Sequence, residues 1–479
     1  MKNSYTNNLN LFIVSILLVL IMGMFSSCRK MEVDENAKLQ FSTSMVSFDT
    51  VFTTVGSVTK RFMVRNTHDF SVTTSVRLAG GKSSYFSMNV DGVAATEIDE
   101  LEIPAHDSIF VHVKVTLDPN NQSNPLLITD SIVFITGHTM QDVDLLAYGQ
   151  DAHFIVADHW LGSSMHYKVV AGENETVTWT NDKPYVVYGW AVVDSAGRLE
   201  IEPGTKIYFH SGSGLWVYRD GCLRVNGSAD APVLFRGDRT ASWYDTDYAQ
   251  WDRIWISEGQ TENKISHAII TNAYIGLQLT PWNTPTYNNN KIENCIIHNT
   301  SGSAVLARAS KMEMVNCQLS NNGVCCLQLE TGLYDMKHVT AANYFSQAMR
   351  KNPAVYLSNS YIEQTTSTTY VGDLYTRFTN CILYGSMEDE LVMKQFSDES
   401  LLFDNRFENC LIKGSTNSEN FINCIRNQNP KFVDYKNQDF NLLDGSPAID
   451  AGKTGLGITQ DLPGNSRDAA PDLGAYEKQ

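Results

Sequence analysis

The chain has 479 residues, 43% hydrophobic and 19% charged, a composition that excludes an intrinsically disordered protein. Its formal net charge of −17 lacks the basic footprint that nucleic-acid binding requires, and it disfavours a domain lying on anionic lipid. The length allows two or three domains.

Residues 11–25, LFIVSILLVLIMGMF, form one apolar run behind the basic Lys2. The run is shorter than the roughly 20 residues of a membrane-spanning helix and fits the apolar region of a signal peptide. Small residues then precede a cysteine in Phe25-Ser26-Ser27-Cys28. This stretch resembles a lipobox. The resemblance implies removal of residues 1–27, lipidation of Cys28, and attachment to the outer membrane or cell surface through the lipid alone. Ordinary secretion with a free Cys28 is the alternative. Residues 28–40 read as a polar tether.

Residues 41–152 read as all-β. Apolar and polar residues alternate in Arg61–Arg65, Ile109–Val115 and Ile132–Ile135. Turn clusters separate them at Asn66-Thr67-His68-Asp69, Gly80-Gly81-Lys82 and Asp118-Pro119-Asn120-Asn121. Short strands at this spacing predict a two-sheet sandwich. Ser47–Asn66 and Ile103–Val113 resemble immunoglobulin-like domains of the ASH type, which implies a spacer or interaction module. His68, His106 and His112 are too scattered for a metal site. Residues 153–174 are expected to be a linker.

From residue 175 to 444 a short unit recurs. Its clearest form is Asn-Cys-x-Ile/Leu, at Asn294-Cys295, Asn316-Cys317, Asn380-Cys381 and Asn409-Cys410. Looser copies are Ser266-His267-Ala268-Ile269, Lys337-His338-Val339-Thr340 and Asn359-Ser360-Tyr361-Ile362. The second residues fall at 267, 295, 317, 338, 360, 381 and 410, so the core period is 21 or 22 with two longer steps. A unit this short cannot bury its own apolar face and must stack on its neighbours. Stacked parallel strands align equivalent residues in ladders, and Asn at a tight turn tolerates left-handed backbone. A leucine-rich repeat is disfavoured because no helical pattern follows the strands. The opening stretches LEIEPGTKI, GCLRVNGSADAPVLF and WDRIWI resemble the entry coils of right-handed parallel β-helix lipoproteins. The implied fold is all-β: an immunoglobulin-like sandwich followed by a right-handed parallel β-helix.

The last segment, 445–479, carries Ser446-Pro447-Ala448-Ile449-Asp450-Ala451-Gly452, Asp461, Gly464, Arg467 and Pro471–Glu477. It resembles the choice-of-anchor Q segment that ends many bacterial surface β-helices. It is expected to cap the open end of the stack. Asp450, Asp461, Asp472 and Glu477 with Arg467 predict a local ion-pair network. A calcium site on Asp450, Asp461 and Asp472 is the alternative; otherwise no cofactor is implied. Of nine cysteines, those of the repeat are expected to be buried thiols rather than disulfides, because in-register side chains point the same way.

Chemistry is expected where insertions wall the flat faces of the stack. Residues 238–252 hold Trp243, Tyr244, Asp245, Asp247 and Tyr248; residues 280–290 hold Trp282 and Tyr287; residues 365–377 hold Arg377. Rings beside amides and carboxylates suit sugars, so Trp243, Tyr244, Tyr248, Trp282 and Tyr287 are candidate glycan contacts. Trp251 and Trp255 are read as the start of a buried strand. Three readings stand open. The first is a surface lipoprotein that binds a polysaccharide or a surface partner protein. The second is a lyase or glycoside hydrolase of the pectate-lyase-like superfamily. Its candidates are Asp245 and Asp247 as the acid pair, with Arg308, Arg350, Lys351 and Arg377 at coil edges. The third is a purely structural or adhesive protein. Ser386–Leu391 is expected to be a capped helical insertion with a solvated acidic face.

Overall fold

A computed structural model describes residues 36–52, 59–116, 126–162, 165–240, 244–281, 288–363, 367–396 and 400–479. They are almost wholly strands and turns, and no α-helix occurs among the described residues. The chain divides into two units, one ending at Gln150 and one running from Asp151 to Gln479.

The first unit has two five-stranded sheets around one apolar core. Lys60–Arg65 pairs antiparallel with Ser108–Val115, and the inward residues of that pair, Phe62, Val64, Val111 and Val113, are fully buried. In the other sheet Leu126–Thr136 pairs antiparallel with Thr139–Gln150. The alternation read from the sequence is therefore the alternation of the faces. Asn66, expected in a polar turn, is instead fully buried, and its amide donates to the carbonyls of Phe70, Ile103 and Pro104.

The second unit is a pile of coils that builds three parallel ladders. Ladder A includes Trp190–Val193, Gly214–Val217, Ile254–Ile256, Leu277–Leu279, Val355–Ser358 and Leu391–Lys394. Ladder B includes Arg198–Ile201, Cys222–Asn226, Glu262–Ser266, Asn289–Glu293, Leu374–Thr379 and Phe403–Glu408. Val305–Val315 and Leu327–Lys337 run through both, which fuses A and B into one 18-stranded sheet. Ladder C is the separate 11-stranded sheet, from His153–Val156 to Ile425–Arg426. The expected linker is thus part of the pile: His153–Val156 pairs with Tyr185–Tyr188, and Met165–Ala171 with Trp190–Val193. The alternating Val, Ile and Tyr of that stretch make strands.

Inside, side chains of paired strands stack on one another: Phe378 lies on its counterpart Phe407 at 4.8 Å and 12°. Phe209 has Gly237 as its counterpart, and Trp251 fills the room this leaves, at 4.3 Å and 10° from Phe209. The ring spacing approximates the separation of paired strands. The repeat cysteines share this core. Cys295, Cys317, Cys381 and Cys410 are free and wholly buried, and each thiol donates to the carbonyl two residues before it. Burial pushes the Cys317 and Cys410 thiols well above the ordinary range, so they pack as small apolar groups.

The residue before each cysteine makes the turn from ladder B to ladder C. Asn294, Asn316, Asn380, Asn409 and Asn423 all have φ between 49° and 55°. His267 and His338 hold the same turn, at φ 50° and 52°. The looser copies at 266–269 and 337–340 are therefore displaced by one residue from the alignment read in the sequence. The copy at Asn359–Ile362 is no coil: Ser360–Glu363 pairs antiparallel with Thr368–Val371 as a hairpin, leaving Ile362 59% exposed. A short motif match there lacks the inward apolar partner that a coil requires.

The C-terminal segment does not cap the end of the pile. It runs back along its side, over the turn ladder and the outer face of ladder C. Asn409 donates to the carbonyl of Ala451, Asn316 to that of Gln460, and Asn380 both donates to the carbonyl of Lys453 and accepts from its amide. Leu462, Leu473, Ala475 and Tyr476 bury against Ala342, Ile382 and Leu411. Arg467 pairs with Glu477 at 2.8 Å and donates to Asn316. Asp461 accepts the amides of Asn465 and Glu477, and Asp472 those of Asp450 and Lys478. These carboxylates are occupied by backbone and Arg467. Among the described residues no group of three His, Cys, Asp or Glu side chains is arranged to hold a metal.

Replacing Asn380 with alanine strands the N–H and C=O of residue 453 and gives up asparagine's tolerance of left-handed backbone, at about 2–4 kcal/mol. Asn380→Gly removes only the backbone part, so it should be less destabilised than alanine by about 1 kcal/mol. All eight tryptophans lie beyond residue 150, so tryptophan fluorescence during urea unfolding reads this unit.

Candidate functional site

The three outer faces of the pile differ in chemistry. Ladder C is covered over much of its length by the C-terminal segment. Ladder B presents a row in register, Glu200, Arg224, Lys264, Lys291, Glu313, Asp335, Arg377 and Arg406. Its charges are tied among themselves and their neighbours: Lys264 and Lys291 to Glu293, Lys337 to Glu313 and Asp335, Arg224 to Glu262. This is an ion-pair-laced, solvated surface.

Ladder A is different. Its outward row is Val192, Trp216, Trp255, Gln278, Leu306, Gln328, Tyr356 and Val392. Trp216, 4% exposed, and the half-buried Trp255 stack at 5.2 Å and 14°. The Trp216 indole N–H donates to Ser257 Oγ at 2.8 Å, and that of Trp255 to the Thr280 carbonyl at 3.0 Å. Both ring planes are fixed this way. Trp190 lies beside them across Gly214, where a Cβ would come within 2.7 Å of the indole. Farther along, Gln278 donates to Thr280 and Gln328 to Glu330. Arg308 pairs with Glu330 at 2.5 Å and lies over the ring of Tyr361 at 4.8 Å. Arg253 lies over Tyr274, whose ring is 48% exposed. Oriented rings are thus followed by oriented amides and guanidinium groups along one line. Among the described residues of this row and the next outward one (Asp194, Tyr218, Ser257, Thr280, Arg308, Glu330, Ser358, Lys394), Asp194 and Glu330 are the carboxylates, five coils apart.

Most of the residues picked from the sequence lie elsewhere. Trp243, Trp282, Tyr287 and Cys28 fall outside the described residues. Tyr248 leans on Phe345 at 5.4 Å with 36% exposure. Tyr244 is half-buried under the guanidinium of Arg239. The backbone of this loop is pinned: Gln250 donates to the carbonyls of Tyr244 and Asp247, and Asn272 and Asn299 to that of Asp245. Asp245 pairs with Arg236, while Asp247 is exposed. Arg377 sits on ladder B, doubly bonded to Asp404 at 3.1 and 2.7 Å and stacked on Tyr375. The fold therefore does not gather Asp245, Asp247 and Arg377 into one site. Trp251 is a core residue, 1% exposed, with its N–H on the Thr271 carbonyl. Trp255 overturns its expectation: Ile254 and Ile256 point inward, so Trp255 points out. The Ile-Trp-Ile alternation carries that signal, and the same logic places Gln278 between Leu277 and Leu279.

Arg350 is no edge residue either. It bonds both oxygens of Glu390, at 3.0 and 2.7 Å, and the Glu390 side chain is wholly buried. The segment expected as a solvated helix is a turn that delivers this carboxylate inward, also onto the amides of Ala354 and Met387. Arg350→Met should cost about 3–5 kcal/mol by stranding the buried carboxylate, and adding Glu390→Leu should restore much of it. Urea midpoints followed by tryptophan fluorescence test this.

No family model and no curated protein matches the chain. Solved structures resemble it weakly. The catalytic unit of a GH87 α-1,3-glucanase from Streptomyces thermodiastaticus is 9% identical, with 77% of this chain and 89% of that chain covered and a TM-score of 0.21. An ASH/PapD-like domain of human CEP192 is 8% identical over 26% of this chain and 92% of that one, with a TM-score of 0.18. A family 123 glycoside hydrolase from Clostridium perfringens is 7% identical over 25% of this chain, at a TM-score of 0.19, and the chain spans only 30% of its length. At these scores the likenesses assign no activity.

Proposed function

We propose that this chain is a lipid-anchored cell-surface protein that binds a polysaccharide along the outer face of ladder A. The observation that carries the reading is the half-buried row of Trp255, Gln278 and Gln328, with Trp255 held against the buried ring of Trp216. Pyranose faces stack on such rings, and amides a few ångströms on are placed for hydroxyls. The coils would wind as a right-handed parallel β-helix, and the first unit would serve as an immunoglobulin-like spacer behind a lipidated Cys28 in the outer membrane. Binding is favoured over hydrolysis because glycoside cleavage uses two carboxylates close together, whereas Asp194 and Glu330 of these rows stand five coils apart and Glu330 is clasped by Arg308.

Trp255→Ala should weaken glycan binding about five- to tenfold, the loss of one stacked ring, in a variant whose cooperative urea unfolding shows that it remains folded. Lys264→Ala on ladder B is the control and should bind normally. A glycan array followed by calorimetry on its best hit decides; equal binding by both variants would sink the track. Separately, Cys28→Ser should move the protein from the membrane to the soluble fraction of cells, which fractionation and immunoblotting detect.

A further inference from the structure

A cavity of about 340 Å³ opens in the first coils, lined among others by His166, Tyr188, Gly189, Trp190, His210 and Ser213. Its volume lies within the range of small-molecule sites. Trp190 belongs to the same aromatic cluster as Trp216 and Trp255, so the cavity sits at the N-terminal end of the ladder A track.

One wall is a row built by coil register. Val187 pairs with Phe209 and Phe209 with Gly237, so the next residues, Tyr188, His210 and Asp238, stand on three successive coils. The rings of Tyr188 and His210 lie 4.8 Å apart, tilted by 30°, and His210 Nδ1 donates to Asp238 at 2.8 Å. That bond leaves Nε2 of the imidazole, whose side chain is 52% exposed, without a protein partner among the described residues. The ring is held from behind by a tight turn in which the Ser213 amide donates to the His210 carbonyl and Gly212 takes φ 75°. A Cβ at Gly212 would meet nothing within 4 Å, so the mouth is open on that side. Gly189, at φ 90°, could carry no Cβ without striking Ala157 at 2.6 Å.

The charged and titratable groups facing His210 are Asp238 and Arg239 on one side, Tyr188 on the other and His166 across the cavity. With His210 protonated, Asp238 balances it, and the nearby Arg239 adds a positive charge behind the wall. We propose that this cavity is an end subsite that takes a carboxylate-bearing sugar unit, a uronic acid, with His210 Nε2–H as the donor to the carboxylate. This deepens the glycan reading and rests on it for the polymer, but not for the single sugar.

The hydrogen bond to Asp238 raises the pKa of His210, against the opposing pull of burial and Arg239. A raised imidazole pKa keeps the ring charged below that value. Carboxylate binding is then full on the acidic side and is lost as pH rises through it.

The test is calorimetry of the full chain with sodium glucuronate and, separately, glucose. Glucuronate should bind about tenfold more tightly at about pH 5.5 than at about pH 8, and glucose should show no such change. His210→Gln should weaken glucuronate binding about fivefold or more at the lower pH and flatten the profile. Asp238→Asn should keep the site but move the midpoint to lower pH, an effect that a merely structural residue would not produce. Glucuronate binding that ignores pH or His210, or its absence, overturns the subsite; if Trp255-dependent polymer binding persists, only the subsite has failed. Glucuronate binding with the expected profile but without Trp255-dependent polymer binding supports the subsite and removes the track.

Discussion

Backbone pairing between successive coils is the constraint on which the second unit depends. Every coil must hand its N–H and C=O groups to the next, because they have no partner within their own turn. That requirement fixes register, and register places like on like: Phe378 on Phe407, Cys295 beneath Cys317, Trp216 against Trp255. A core too narrow for any single coil to close becomes continuous once the coils are aligned. The chain spends extra residues only at turns, where a longer excursion leaves the ladder intact. The loop at 238–252 and the hairpin at Ser360–Val371 are such excursions.

The left-handed turn residues show one constraint serving two ends. The turn from ladder B to ladder C needs positive φ, and Asn tolerates that at small cost. The side chain it brings is then carried at every coil to one edge of the pile. There the amides of Asn316, Asn380 and Asn409 bind peptide groups of the C-terminal segment. His338 takes the place of Asn in one coil, accepting from Asn380, and burial holds its pKa down to about 3. An apolar lid of Leu462, Leu473 and Tyr476 then closes over ladder C. The same polar row thus turns the chain and fastens its end.

Division of labour among the faces follows. A three-sided pile must solvate, cover or use each outer face. Ladder B is solvated by interlocking ion pairs, ladder C is largely covered, and ladder A keeps rings and amides whose orientation is fixed by bonds to neighbouring coils. Fixed rings lose little entropy when a flat ligand settles on them. The proposed track and end subsite use this preorganisation, with Trp190 common to both.

Local features can be read along the chain. Alternation fixed which residues of a strand face the core, the recurrence of Asn-Cys fixed the coil period and its turn, and the positions of the insertions followed. These are properties of a few consecutive residues, and backbone geometry reads them directly. Even Trp255 was legible in Ile254-Trp255-Ile256, though aromatic bulk argued for the core. Tertiary structure alone decided what joins distant stretches: the return of residues 450–477 along the side of the pile, the burial of Glu390 against Arg350, and the row of Tyr188, His210 and Asp238. Each depends on which coil lies above which. An insertion of arbitrary length between two coils changes the sequence separation without changing the contact, so no spacing in the chain records it.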